Sequence, residues 1–84
     1  MIDDMNRAEI LQQVEVIFKD VLDEENIVLN DTTTANDVEG WDSLTHIQLI
    51  VAIEKYYKIK FKSNEILSWN NVGEMLDAIL SKLS

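Results

Sequence analysis

Cysteine and proline are absent from this chain, and glycine occurs only as Gly40 and Gly73. Without cysteine there are no disulfides, no zinc–thiolate sites and no cysteine nucleophile. Without proline, and with so little glycine, few tight hairpins are expected, which favours helices. Basic residues are also scarce, with seven Lys and Arg against 16 Asp and Glu and a formal charge of −9. That balance argues against nucleic acid and anionic membranes as partners, because both are met by basic patches. No apolar run approaches the roughly 18 residues of a membrane-spanning helix. The longest, IQLIVAI, is broken by Gln48 and bounded by His46 and Glu54. The N-terminal MIDDMNRAEI lacks the basic head and apolar block of a signal peptide. These absences lead to the expectation of a soluble, cytoplasmic, monomeric protein without membrane insertion.

What is present suits one folded domain over residues 1–84, since the hydrophobic fraction is 46%. Ile10, Leu11, Val14, Ile17, Phe18, Val21 and Leu22 recur at helical spacing and predict a first helix from about Asp4 to Leu22. A second helix is predicted from about Ser43 to Tyr57, with Leu44, Ile47, Ile50 or Val51, Ala52 and Ile53 on a wide buried face. Its thin polar remainder marks it as the central helix. KIKFKS alternates apolar and basic residues, as in a short extended connector with Ile59 and Phe61 inward. SNEIL reads as one helical turn capped by Ser63 or Asn64, and NNVGEMLDAILSKL as a last helix capped by Asn70 or Asn71. The predicted class is all-α: a four-helix bundle of three longer helices and one short one.

Between the first two helices, residues 23–42 lose this period and become rich in Asn, Asp and Thr, which favour turns. A loop so long in a compact domain tends to be functional. Ile27, Leu29, Val38 and Trp41 are its expected anchors to the core, and the Trp41 indole N–H then needs an acceptor. Eight carboxylates fall between Asp20 and Asp42 with no Lys or Arg among them, whereas Lys55, Lys58, Lys60 and Lys62 cluster later. An acidic face of that kind either keeps a small protein soluble or steers basic partners toward the end of the loop.

That end is VEGWDSLTHI, where Asp42 and Ser43 precede the central helix and the only histidine follows at position 46. Three chemistries compete for the serine. Ser43 and His46 are i,i+3 neighbours on a helix, but a hydrolase also needs an acid, an oxyanion hole and a pocket, and GWDSL lacks the second glycine of a G-x-S-x-G elbow. His46 is better read as a solvent-facing helix residue or a partner contact. Metal binding has no EF-hand pattern and no His/Cys ligand set to support it. Asp42 or Ser43 can cap the helix. The same geometry allows attachment, because the free N–H groups and positive dipole end of a helix favour a phosphate on an exposed hydroxyl.

GWDSLTHIQLIVAIEKYYKIKF resembles the modification segment of acyl carrier proteins, with D-S-L followed by an apolar helix that ends near a glutamate, here Glu54. NEIL and NVGEMLDAI resemble that family's short third helix and last helix, so the likeness spans nearly the whole chain. The resemblance implies that Ser43 carries 4′-phosphopantetheine, transferred from coenzyme A by a phosphopantetheinyl transferase. The arm's thiol would hold acyl or aminoacyl groups as thioesters, and the chain itself would catalyse nothing. Asp42 would help position the segment, and Leu44, facing inward or onto the loop, would anchor the helix start. Further partners would be an acyl- or aminoacyl-loading ligase and acyl-transferring or condensing enzymes. Carriers of fatty acid synthesis usually show carboxylates just after the serine. Thr45, His46 and Gln48 stand here instead, which points to a specialised pathway. Those three residues, with Val51 and Trp41, are the expected partner contacts. The initiating Met with no flanking domain fits a discrete protein. The competing expectation is an unmodified helical interaction module.

Overall fold

Asn6 starts the first helix. Its side-chain oxygen accepts from the Glu9 N–H at 2.9 Å, and Glu9 Oε1 accepts from the Asn6 N–H at 3.2 Å. In the computed structural model, which describes residues 6–83, helix α1 therefore spans Arg7–Leu22. It begins later than the periodicity suggests, and Asp4 lies outside the described residues. Helix α2 spans Ser43–Tyr57, α3 Ser63–Ser68 and α4 Val72–Leu83, with a single 3-10 turn at Ala35–Asp37. The described residues contain no strand. This is the expected all-α arrangement of three longer helices and one short one.

Ile10, Val14 and Phe18 form the buried ridge of α1, four residues apart, and are fully shielded from solvent. Leu49, Ile50 and Ile53 answer from α2, and Val72, Met75, Leu76 and Ile79 from α4. The buried face of α2 keeps the expected Ile50 and Ile53 but differs from the expected one in its first two turns. Leu44 is 70% exposed and Ile47 49%, while Leu49 is fully buried. An apolar residue occurs on most sides of this helix, so its hydropathy cannot select a face. Packing of α1 against α2 makes the selection.

All four predicted loop anchors, Ile27, Leu29, Val38 and Trp41, are buried. The loop also serves α4, whose first turn has unpaired N–H groups. Thr33 O accepts from the Val72 N–H at 2.8 Å, Asp31 O from the Gly73 N–H at 2.9 Å, and Asn71 Oδ1 from the Glu74 N–H at 2.9 Å. Asn71, one of the two expected residues, is thus the cap of α4. Arg7 completes the junction by donating to Asp31 Oδ2 at 3.2 Å, to Gly73 O at 2.9 Å and to Asp77.

Gly73 is needed at this crossing because a Cβ there would lie 2.8 Å from Asp31 O. Gly73→Ala should therefore destabilise the fold by about 1–3 kcal/mol through overpacking. Urea denaturation measures it, and an unshifted midpoint would show that the loop yields freely.

After α2 the chain turns at Lys58, in the left-handed region with φ 60°. Glu54 Oε2 accepts from the Phe61 N–H at 2.8 Å, so the glutamate near the helix end fastens the connector. Ile59 and Phe61 are half-buried against the core, as expected. Neither Ser63 nor Asn64 caps α3. Lys62 takes the cap position, and its N–H donates to Glu65 Oε1 at 2.8 Å.

Tyr57 donates its hydroxyl to Gln13 Oε1, joining α2 to α1. Burial, and secondarily the neighbouring Tyr56, push its pKa up to about 12 from 10.0. The folded state thus keeps a proton that the unfolded chain releases near pH 10. This contribution is complete below pH 10 and fades as pH rises toward 12. Alkaline melting curves should show the loss, and Tyr57→Phe should flatten the slope. An equally steep slope in the variant would assign it to other groups.

Candidate functional site

The segment before α2 is built as a sharp, doubly fastened turn. Gly40 has φ +90°, a conformation that a side chain would strain. Trp41 follows with only 9% of its surface exposed, its ring edge-on to Phe18 at 4.9 Å between centroids. Asp42 is extended and caps α2, with Oδ1 accepting from the Thr45 N–H at 3.0 Å. Thr45 Oγ1 accepts from the Asp42 N–H at 2.8 Å and donates to Gly40 O at 2.7 Å. One threonine thereby closes the capping box and holds the glycine turn. The Thr45 backbone N–H is also the main cause that keeps the Asp42 carboxyl below its ordinary pKa.

Ser43 is the first residue of α2 and is exposed. Asp42 does the capping, so of the two candidates for that task the serine is the one left over. Its hydroxyl stands beside the helix N-terminus, where an attached phosphate meets the positive end of the dipole. A covalent phosphodiester fits this position without disturbing any core contact.

His46 is placed differently from its expected solvent-facing position. The Trp41 indole Nε1–H donates to His46 Nδ1 at 3.1 Å, and Nε2 lies 3.2 Å from Ile66 O on α3. The two rings stack at 6.0 Å, and Trp69 meets the imidazole edge-on at 6.2 Å. An Nδ1 that accepts implies an Nε2–H that donates, so both ring nitrogens are engaged. No imidazole nitrogen remains to activate Ser43, which removes the geometric basis of the hydrolase reading. The same bond supplies the acceptor that the Trp41 indole requires.

Of the other residues singled out in the sequence, Gln48 and Val51 are exposed on α2, and Thr45 is spent in the cap. Leu44 does not anchor the helix start; it points to solvent, in line with Ile47 and Val51 at i, i+3 and i+7. A cleft of about 380 Å³ opens next to the serine, lined among others by Ser43, His46, Ile47, Ile66, Trp69 and Met75. Sequence reasoning missed this cleft because it is assembled from three helices. Its one local signal is Trp69 beside Asn70 and Asn71, which is easily read as simple packing. Among the described residues no group of His, Cys, Asp or Glu is arranged to hold a metal ion.

Residues 12–79 match the family described as "Phosphopantetheine attachment site". The acyl carrier protein of Guillardia theta is 31% identical over 81 residues, covering 95% of this chain and 99% of its own. That of Thermosynechococcus vestitus is 33% identical over 82 residues, with the same 95% and 99% coverage. The chain belongs to the acyl carrier protein family.

As an acyl carrier protein it bears a phosphopantetheine prosthetic group and has no catalytic activity of its own. The solution structure of holo acyl carrier protein from Geobacter metallireducens matches with a TM-score of 0.81 and 45% identity, covering 87% of this chain and 84% of that one. An acyl carrier protein works through other enzymes, and this one has no helix among its described residues long and apolar enough to cross a membrane. The missing cysteine fits the assignment, because the reactive sulfur belongs to the prosthetic group.

Proposed function

We propose that Ser43 is the attachment residue and that the protein is a dedicated carrier of acyl or aminoacyl groups in a specialised biosynthetic pathway. The observation that carries this reading is the exposed hydroxyl at the first position of α2, left out of every capping bond. The phosphodiester would form at Ser43 Oγ with loss of the hydroxyl proton, as a transferase breaks the pyrophosphate P–O bond of coenzyme A and adenosine 3′,5′-bisphosphate leaves. When bound, 4′-phosphopantetheine supplies a terminal thiol that holds the cargo as a thioester. Asp42 and Thr45 fasten the helix start, so the backbone that carries the hydroxyl is held in place. Leu44, Ile47, Gln48 and Val51 present the surface on which partners dock beside it. Tethering then makes delivery effectively intramolecular.

The docking stripe supports the specialised role. Its exposed residues are apolar or neutral, with the carboxylates Asp37, Glu39 and Asp42 on the loop side and Glu54 at the far end of α2, engaged by the Phe61 N–H. Recognition along α2 therefore rests more on contact than on charge. Val51→Glu should weaken transfer to or from a loading enzyme by about tenfold, equivalent to roughly 1.4 kcal/mol. The melting temperature should hardly change, because Val51 is 43% exposed. Unaltered transfer kinetics would remove this stripe from the docking surface.

The attachment itself is tested by incubating the apo protein with coenzyme A and a phosphopantetheinyl transferase and following intact mass. A gain of one phosphopantetheine, absent from Ser43→Ala, is the expected result. A gain retained by the variant places the group elsewhere.

A further inference from the structure

We infer that His46 is a positioning residue of the attachment segment, holding Trp41 and α3 on either side of the cleft as a neutral imidazole and releasing Trp41 when it gains a proton. The inference rests on the reading of Ser43 as the attachment residue and assigns the control of its surroundings to a side chain three positions further along.

The geometry imposes one protonation state. Trp41 has a single polar atom, Nε1, which can only donate, and it points at His46 Nδ1 from 3.1 Å. Ile66 O can only accept, and it faces Nε2 at 3.2 Å. A neutral imidazole with its proton on Nε2 satisfies both. A second proton on Nδ1 would set two N–H groups against each other, so the Trp41 bond is lost while the bond to α3 survives.

The surroundings leave His46 as the group that decides this. On the loop side the cleft contains the Asp42 carboxyl, whose pKa is held down chiefly by the Thr45 N–H. From α3 the cleft is lined by Ile66 and Leu67, and toward α4 by Trp69, Asn70, Asn71 and Met75, none of them titratable. Glu65 is turned away to the Lys62 N–H and to Lys82, and Glu74 accepts from the Asn70 N–H.

Release at Trp41 reaches the serine through two residues. Trp41 is the last anchor before the cap, and the turn that carries it is also held by the Trp41 N–H on Val38 O at 3.2 Å, by the edge-on contact of the ring to Phe18 and by Thr45 Oγ1 on Gly40 O at 2.7 Å. With the indole free, the Gly40–Asp42 turn loses its side-chain tie to α2 at His46, and the wall of the cleft beside Ser43 loosens. Acidification then changes how the attachment segment is presented, without unfolding the bundle.

The test uses the unmodified full chain labelled with nitrogen-15. The imidazole shifts at neutral pH should report the Nε2–H tautomer, and a dominant Nδ1–H tautomer overturns the inference. As the ring is protonated, exchange of the Trp41 indole N–H with water should accelerate by about tenfold. The Ser43 and Leu44 amide signals should move in step with it. His46→Gln supplies the control, because a side-chain amide offers an acceptor and a donor at similar spacing and does not titrate. In that variant the indole should stay protected across the same pH range. Unchanged exchange or unmoved Ser43 and Leu44 signals in the wild type, or the same acid response in His46→Gln, refutes the role. These readings need no prosthetic group, so they succeed or fail separately from the assignment of Ser43.

Discussion

Ser43→Ala should fold and melt like the wild type while losing all capacity to take up phosphopantetheine. The two halves of that result come from different features. Stability is spared because the bonds at the helix start run between Asp42, Thr45 and Gly40, and the Ser43 side chain is in none of them. Ser43 is also exposed, so no cavity is created. Function is lost because the phosphodiester needs that one oxygen. Surface substitutions of this kind usually change stability by no more than about 0.5 kcal/mol. Matching circular dichroism melts, together with intact masses before and after the transferase reaction, test both halves at once. Asp42→Ala gives the opposite pattern: it keeps the hydroxyl and loses the cap, so modification should slow rather than vanish. If Ser43→Ala still gained the group, the attachment assignment would be lost while the fold description stood.

Phe18→Ala should be the most damaging single change in the core. Phe18 is fully buried at the C-terminal end of the α1 ridge and carries the edge-on contact to Trp41. Truncating a buried phenylalanine costs about 3–5 kcal/mol in lost transfer free energy and cavity formation. Small domains have stabilities near the lower end of roughly 5–15 kcal/mol, so the variant should be largely unfolded or close to it at 37 °C. The loss would also free the loop at Trp41 before the rest of the bundle melts. Urea titration followed by both circular dichroism and tryptophan fluorescence reads the two events. Val16→Ala on the same helix is the comparison, since Val16 is 62% exposed and should shift the midpoint little. A wild-type midpoint for Phe18→Ala would mean that the α1–loop contact does not hold the core.

Much of this was legible in the chain because the decisive patterns are local. The limits of α2 at Ser43 and Tyr57, the half-buried Ile59 and Phe61, and the loop anchors Ile27, Leu29, Val38 and Trp41 all agree with the sequence reading. Each follows from helical period or from single apolar residues in polar surroundings. The caps were only half legible. Asn6 starts α1 through a box with Glu9, and Lys62, rather than a polar neighbour, occupies the cap of α3. Several capping residues stood in a row at these places, and a preference cannot choose among adjacent candidates.

The site divides in the same way. D-S-L before an apolar helix, with Glu54 at its far end, singled out the segment proposed for attachment, because a hydroxyl at a helix start is a property of a few consecutive residues. The direction of Leu44, the inward turn of His46 and the cleft beside Ser43 were not encoded locally. They depend on which side of α2 meets α1 and on where α3 comes to rest. By itself, the sequence determined the helices and the long anchored loop. The tertiary structure alone decided which apolar residues of α2 are buried and what the histidine touches. The physical reason is that helical periodicity acts over neighbouring turns, whereas the facing of a helix that is apolar nearly all round is set by partners distant in the chain.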